Sequence, residues 1–551
     1  MPLTNNLYAI LFSLRPKIEN GLTRPPHFPT FNPRKFVLSS KELFWRPRLM
    51  SATILGQKIY LVQGASDIAA TLRQRDLSAY TLLYILTHGF NLSPDTLKTY
   101  HADNSGAHST PYPGSQVQPR NRVEFHTTDS VHQFLLGPGF TPLTKRFRKN
   151  IGPRLSSLPI NTEWVVKEDF LDLFRSDFTS SLIDSMCGTY LSNRHPQFIQ
   201  DLWMLEGNIW KLLFQFPRFL APESYAARTM AVAAIKDWHS WARDHFEPTS
   251  VDEHGNDPFW SSRFFRGRQG MFQDMDGFTA DAIAPQDLAF LWGALNNVIV
   301  TSFWTALEVF KDPALLTCIR NDVQACLIPP ADTQRGTTTP PSNIGIHDNI
   351  DVDKLLRQPF LQAVYSESLC LRVSGFFVRL SPPRDIDVRG WRIPGNSYIA
   401  TSAIPMHMEP SVWSTGENEG HLVEEFYIGR WLEPNSDRDS PELPGLTAPH
   451  LTTNTASSTS TSEVKFIADV ARGAWMPFGG GHNLCPGRRF ANCMVFLSVA
   501  LLVTMYDCEV LSDVRNLGMS MPTFGFGISP PDRKVRVNMR RRVGSLLPVS
   551  S

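Results

Sequence analysis

The chain has 551 residues, 42% hydrophobic and 19% charged, a composition that excludes a disordered polypeptide and suits a folded globular body. Its 53 Lys and Arg balance 52 Asp and Glu, so no net field attracts nucleic acid, and nucleic-acid binding is not supported. The seven cysteines (Cys187, Cys318, Cys326, Cys370, Cys485, Cys493, Cys508) lie far apart with no CxxC pair, which argues against a disulfide framework and a structural zinc site and for a reducing compartment.

The first apolar run, Leu7 to Leu14, is broken by Ser13 and followed by Arg15-Pro16-Lys17. A bilayer-spanning helix takes ~20 apolar residues, so residues 1–39 read as an N-terminal segment lacking a full transmembrane anchor. Residues 54–63 (ILGQKIYLVQ) read as a β-hairpin turning at Gly56-Gln57. From about residue 64 to 320 apolar residues recur at three- and four-residue steps, which predicts helices such as Glu168–Leu191, Ala226–His245 and Pro285–Lys311. Pro217 and Pro222 frame an aromatic stretch (FPRFLAPESY) that reads either as a loop between helices or as a mouth touching membrane or substrate.

Three Ser/Thr/Pro/Gly-rich stretches, His101–Arg122, Pro329–Asp348 and Thr447–Glu463, read as surface loops with no apolar face to dock them. No internal repeat of fixed period is visible. After Gly375 the pattern changes to short strands, with turns at Arg389-Gly390 and Pro394-Gly395-Asn396. The fold class is therefore mainly α with small β-sheets (α+β) in one folded unit.

The segment Trp475–Ala491 (WMPFGGGHNLCPGRRFA) carries the strongest chemical signal. Gly479, Gly480 and Gly481 allow positive φ and a close approach of the backbone to a flat ligand. Cys485 stands just before a long apolar helix whose N-terminal dipole favours a negative sulfur, as a thiolate metal ligand requires. Gly487 lets that helix pack directly on a ring, and Phe478 shields the sulfur from water. A phosphate cradle is the alternative, but it lacks the Lys-Ser/Thr of a P-loop and a preceding strand. A structural cysteine in a glycine turn is the other.

This segment resembles the cytochrome P450 signature, Phe-x-x-Gly-x-x-x-Cys-x-Gly, through Phe478, Gly481, Cys485 and Gly487. AVYSESLCLR (363–372) resembles the family's helix K, and PRDIDVRGWRIPGNSYI resembles the β segment after it. HMEPSVW (407–413) and EEFYIGRWL (424–432) resemble the stretch before the cysteine, and PTFGFGISPP (522–531) the last substrate-lining turn. The resemblance spans residues 40–542, leaving 543–551 as a tail. It implies the cytochrome P450 fold, with haem b (iron protoporphyrin IX) between a long central helix and the cysteine-loop helix. The iron would be ligated by Cys485. LWGALNNVIVTSFW (291–304) and FGGGHNLCPGR are similar to the sterol 7-hydroxylase and prostacyclin synthase branch, a style shared with fungal biosynthetic members.

Three departures bear on mechanism. The central helix of the family carries an acid followed by Thr to relay protons; the corresponding places here hold Asn297 and Val298. The proton path is then expected to use ordered water, Asn296, Asn297, Thr301 or a substrate hydroxyl. Asn483 stands where many relatives place a basic residue for a haem propionate, with His482 beside it. Helix K normally reads Glu-x-x-Arg, completed by a later arginine. Glu367 and Arg430 supply the structural pair, but Cys370 replaces the helix K arginine, and Arg372 lies about 140° further round the helix. A buried carboxylate without its partner typically costs ~3–5 kcal/mol.

The resemblance implies a monooxygenase acting on a lipophilic small molecule (terpenoid, steroid-like or polyketide) in secondary-metabolite biosynthesis. Its electrons would come from NADPH-cytochrome P450 reductase, docked near Arg488, Arg489 and the run Lys145, Arg146, Arg148. The site of action is expected at the cytoplasmic face of the endoplasmic reticulum or in the cytoplasm, with peripheral membrane contact. Two alternatives stand beside it: a redox-independent isomerase or dehydratase, and a haem-binding or degenerate protein impaired by Cys370. Phe303, Phe524 and Phe526 are candidates for lining the substrate cavity.

Overall fold

Apolar periodicity of 3.6 dominates the middle of the chain, and the computed structural model turns it into long helices packed on one hydrophobic core. The described residues are 18–19, 22–23, 27–29, 49–54, 57–74, 77–78, 80–328, 349–409, 412–416, 420–434, 464–468, 473–481, 484–520, 522–523 and 525–542. The expected loops Pro329–Asp348 and Thr447–Glu463 lie outside them, as do His482, Asn483 and Phe524.

The central helix runs Ala280–Lys311, 32 residues, and starts five residues before the predicted Pro285, which sits within its second turn. Beyond Leu295 nearly every side chain is buried. A helix apolar all round must lie inside a protein or a bilayer. Both described helices long and apolar enough to cross a membrane, Ala280–Lys311 and the cysteine-loop helix Arg488–Met505, are mostly buried in the fold, where they pack on each other.

The predicted helix Glu168–Leu191 is divided: Phe170–Cys187 is helical with a π turn at Phe174–Phe178, and Gly188 at φ 78° ends it before Thr189–Arg194. Pro222 opens the helix Pro222–His245 at its first turn, where a missing N–H costs nothing. The stretch His101–Arg122 is surface chain, yet polar docking holds it. Buried Arg122 donates from Nε to Ser105 Oγ (3.1 Å) and from Nη1 to the Ser109 carbonyl (2.7 Å).

The hairpin is longer than its signal. Leu49–Ile54 pairs antiparallel with Gln57–Val62, and Ile54 faces Gln57, so Gln57 belongs to the strand rather than the turn. Tyr398–Ser402 joins Gln57–Val62 in parallel and Phe376–Leu380 antiparallel, while His27–Pro29 adds an outer strand. Leu22–Thr23 pairs with Trp391–Ile393 in a second sheet, so parts of the segment 1–39 join the body's sheets. Arg389 (φ 53°), Gly390 (φ 86°) and Asn396 (φ 54°) make the turns between the short strands.

Helix K, Pro359–Arg372, anchors the region below the central helix. Glu367 is fully buried on it, and three partners from the loop before the cysteine meet its carboxylate. The Tyr427 N–H donates to Oε1 (2.9 Å), Trp431 Nε1–H to Oε2 (2.8 Å), and Arg430 Nε lies 3.4 Å from Oε2. Burial raises this carboxyl to about 7 against the pull of Arg430. Arg372 points elsewhere, over the Trp304 ring and 3.7 Å from Glu308. The expected cost of Cys370 therefore takes a different form: the Trp431 indole fills the second place beside the carboxylate, and both oxygens are engaged.

Removing that donor has a calculable effect. Trp431→Phe should lower the unfolding free energy by about 2 kcal/mol, the worth of a hydrogen bond to a charged group, visible as a lower Tm. Cys370→Arg forces a long side chain into a closed site and should lower Tm as well, by overpacking of about 1–3 kcal/mol. A rise in Tm for Cys370→Arg would show that the carboxylate still lacks a partner.

Candidate functional site

The cysteine loop is built from glycines because the backbone has no room for side chains. Gly479 (φ 70°) and Gly481 (φ 66°) both adopt positive φ. A Cβ on Gly481 would sit 2.1 Å from the Leu72 carbonyl oxygen, and one on Gly480 would sit 2.7 Å from the Leu72 side chain. The loop is thus pressed onto the end of the helix Ala65–Leu72. Within it the Gly479 N–H donates to the Met476 carbonyl (3.2 Å) and the Cys485 N–H to the Phe478 carbonyl (3.1 Å). Cys485 is left two residues before Gly487, the cap of the cysteine-loop helix. Burial pushes its thiol up, while the Gly487 N–H and Arg488 pull it back down.

Above the sulfur opens an apolar cavity of about 1050 Å³. Phe478, Cys485 and Gly487 line one side; Ala294, Asn297 and Thr301 of the central helix line the other. Phe526, Gly527 and Ile528 close one end, and Leu82, Trp210 and Phe214 stand among the residues of another wall. Phe303 is not among the lining residues. It is fully buried in an aromatic cluster with Phe170 and Phe174.

The polar candidates on the central helix separate by helical geometry, since adjacent residues project about 100° apart. Asn297 faces the cavity: its Oδ1 accepts from the Ile528 N–H (3.0 Å), and its amide NH₂ has no hydrogen-bond partner among the described residues. Thr301 Oγ1 donates to the Asn297 carbonyl (2.5 Å). Asn296 is turned the other way, and its Nδ2 donates to Glu206 Oε1 (2.7 Å) on the helix Phe198–Leu213. It is not among the residues that line the cavity. Trp292 Nε1–H donates to the other oxygen of Glu206. Burial raises the Glu206 carboxyl to about 7, offset by hydrogen bonds from Trp292 and Asn296.

Three observations fit the expected haem. A Cβ on Gly487 would meet protein atoms only at ordinary distances (3.6 Å to Cys485 Sγ, 3.8 Å to Leu135), so the glycine answers to what occupies the cavity rather than to protein contacts. The described lining residues are overwhelmingly apolar, and none of them is Asp, Glu, Lys, Arg or His. Arg379, which follows the lining Val378 in its strand, is 9% exposed. It donates to the Val378 carbonyl (3.0 Å) and has no carboxylate partner among the described residues. Such a buried guanidinium suits an acidic group at the cavity edge. Sequence reasoning missed it because one arginine in a strand has no distinguishing pattern. Among the basic surface residues, Arg488 and Arg489 are exposed at the helix start beside Cys485. Arg146 instead turns inward to donate to the Ser185 carbonyl (2.7 Å).

Comparison with known proteins agrees with this geometry. The cytochrome P450 family model matches residues 165–537. The cytochrome P450 monooxygenase fsoE of Humicola fuscoatra is 29% identical over 446 residues, 78% of this chain and 72% of that protein. The prostacyclin synthase of Bos taurus is 27% identical over 257 residues, 46% of this chain and 44% of that protein. In fold, the crystal structure of the cytochrome P450DA haem domain superposes with a TM-score of 0.58 at 13% identity, covering 95% of this chain and 98% of that one.

The Glu206 site carries its own prediction. The folded chain keeps a proton on this acid up to about 7, whereas an ordinary carboxyl at 4.5 releases it earlier. Stability should therefore be lost as pH rises from 4.5 towards 7. Glu206→Gln removes this titration, and Asn296 can turn its amide to accept from the new NH₂. The variant should match the parent in Tm at the acid end of the range and exceed it above pH 7; a constant Tm difference across the range would refute the assignment.

Proposed function

Because this chain belongs to the cytochrome P450 family, we propose that it is a haem-thiolate monooxygenase that oxidises a neutral lipophilic molecule of terpenoid, steroid-like or polyketide type. The observation that carries this reading is Cys485 facing the Asn297–Thr301 surface across an apolar cavity of about 1050 Å³. The P450 family and fold imply a haem with cysteine-thiolate ligation. In this proposal the haem is haem b, Cys485 is the iron ligand, and Phe478, Gly481, Gly487 and Arg379 shape and hold the cofactor's place. Asn483 belongs to the same expected set. Bound there, the thiolate-ligated haem supplies dioxygen activation.

The protein's own part is positioning and proton supply. Apolar walls strip water from the substrate and bind its skeleton by area. Asn297 is held by the Ile528 N–H with its amide NH₂ as the donor end, suited to a carbonyl or hydroxyl on the substrate or to a water. Thr301 Oγ1 gives its proton to the Asn297 carbonyl, which leaves its lone pairs to hold a water by the cavity. Together they stand in for the acid–threonine pair. NADPH-cytochrome P450 reductase is the proposed electron donor, docking at exposed Arg488 and Arg489. Leu82 and Phe214, which line the cavity, expose 50% and 47% of their surface, and Phe219 and Leu220, in the short turn Arg218–Leu220 that follows Phe214 in the chain, expose 80% and 57%, apolar surface suited to peripheral membrane contact. A role in secondary-metabolite biosynthesis belongs to the same proposal, and the relative from Humicola fuscoatra is itself a cytochrome P450 monooxygenase.

An amide in place of the relay acid also favours a second reading, a redox-independent isomerase or dehydratase, in which Asn297 orients an oxygen-bearing substrate and no proton delivery to dioxygen is needed. Turnover separates the two. The first requires NADPH, reductase and dioxygen; the second proceeds without them. For the first, Thr301→Val should slow turnover by roughly a hundred-fold, the lower range for lost proton transfer. Cys485→Ser should abolish the red-shifted thiolate-type band of the reduced, carbon-monoxide-bound protein. Persistence of that band in Cys485→Ser would overturn the proposal.

A further inference from the structure

Helix K ends against a histidine that the family signature does not single out. The strand Tyr398–Ser402 runs into a short helix, Ala403–His407, which carries a fully buried His407 to Cys370. The imidazole bridges two segments. Its Nδ1 lies 3.1 Å from the Cys370 carbonyl, and its Nε2 accepts from the Met476 N–H at 3.0 Å. The second bond requires a lone pair on Nε2, so the proton sits on Nδ1 and donates to helix K. Burial lowers the imidazole to about 4, which keeps it in this neutral form. The Cys370 thiol returns a hydrogen bond to the His407 carbonyl (3.6 Å).

Met476 lies at the entry to the cysteine loop, directly after Trp475. Its carbonyl receives the Gly479 N–H, and two residues on, the Phe478 carbonyl receives the Cys485 N–H. A continuous path of short polar contacts thus runs from helix K through the imidazole to the backbone of the loop. We propose that His407 is the positioning residue that sets the height of the Cys485 loop against helix K, in a chain whose helix K has Cys370 in place of arginine. A small residue at 370 leaves its carbonyl approachable by the ring. The ionisable side chain beside the imidazole is the Cys370 thiol, which in turn feels Glu367, one turn earlier on the helix, and Arg430. The inference rests on Cys485 being the iron ligand.

The test uses the purified haem-loaded protein and three variants. His407→Phe keeps a ring but loses both bonds. His407→Gln can reach the Met476 N–H with its amide oxygen, while the shorter His407→Asn reaches only the Cys370 carbonyl. Two quantities are read: the ratio of thiolate-type to blue-shifted carbon-monoxide band, and hydrogen exchange at the Met476 amide. His407→Phe and His407→Asn should each lower the ratio roughly ten-fold and speed exchange by a similar factor, the scale of one buried hydrogen bond. His407→Gln should restore both. Should His407→Phe fail to fold, the Gln and Asn variants still decide, and identical behaviour of those two overturns the proposal. If the parent protein shows no thiolate-type band, the ligand assignment fails, while the exchange rates still report whether His407 holds Met476.

Discussion

The carboxylate of Glu367 has to be buried, because the helix that carries it gives Tyr365 and Leu369 to the cavity wall and is buried over nearly its whole length. An ionisable group placed there needs partners on both oxygens or it shifts the fold away from it. The chain meets that demand from one short segment: the Tyr427 amide, the Arg430 guanidinium and the Trp431 indole converge on the two oxygens. This fixes the approach to the cysteine loop, since Trp431 also packs edge-on to Trp475 at its start. Residue 370 is thereby released from holding the carboxylate, and its carbonyl and thiol both engage His407 instead. The substitution of cysteine for arginine redirects the polar contacts of helix K without leaving an orphan charge.

The central helix divides its polar residues in a related way. Trp292 and Asn296 direct their N–H groups to Glu206, which ties the helix Phe198–Leu213 to the central one. One residue on, Asn297 points to the cavity and is held by the C-terminal turn at Ile528. Two adjacent asparagines therefore have separate tasks: one ties the central helix to the helix Phe198–Leu213, the other presents an amide to the cavity. Rotation by about 100° per residue is enough to keep them apart.

What could be read from the sequence was local. The spacing of Phe478, Gly481, Cys485 and Gly487 lies within ten consecutive positions, and the turns at Arg389-Gly390 and Asn396 come from residues that tolerate positive φ. The long helices followed from periodicity, although the break at Gly188 and the early start at Ala280 did not. What escaped was pairing at distance. Trp431 meets Glu367 across 64 residues, Met476 meets His407 across 69, and Asn296 meets Glu206 across 90. None of these pairs leaves a periodic trace, and each residue alone looks like ordinary core. Phe303 errs in the other direction: an aromatic residue on the right helix, directed to the core by the 100° step.

The electrostatics of the cavity limit what it can bind. Among the described residues its wall offers an amide, a hydroxyl, a buried phenol and two indoles, but no formal charge apart from what Cys485 acquires when it loses its proton. A charged substrate entering this space would give up its hydration without a counter-ion, at a cost of several kcal/mol per ion even after relaxation. A neutral ring system loses little by the same move and gains with each methylene it buries. Arg379 sharpens the contrast, because the guanidinium close to the wall is set in a strand at the cavity's edge, where an acidic group of a cofactor rather than of a substrate would meet it. The neutral substrate of the proposed function thus matches the absence of compensating charge among the described lining residues, and the few polar groups present act on orientation rather than on affinity.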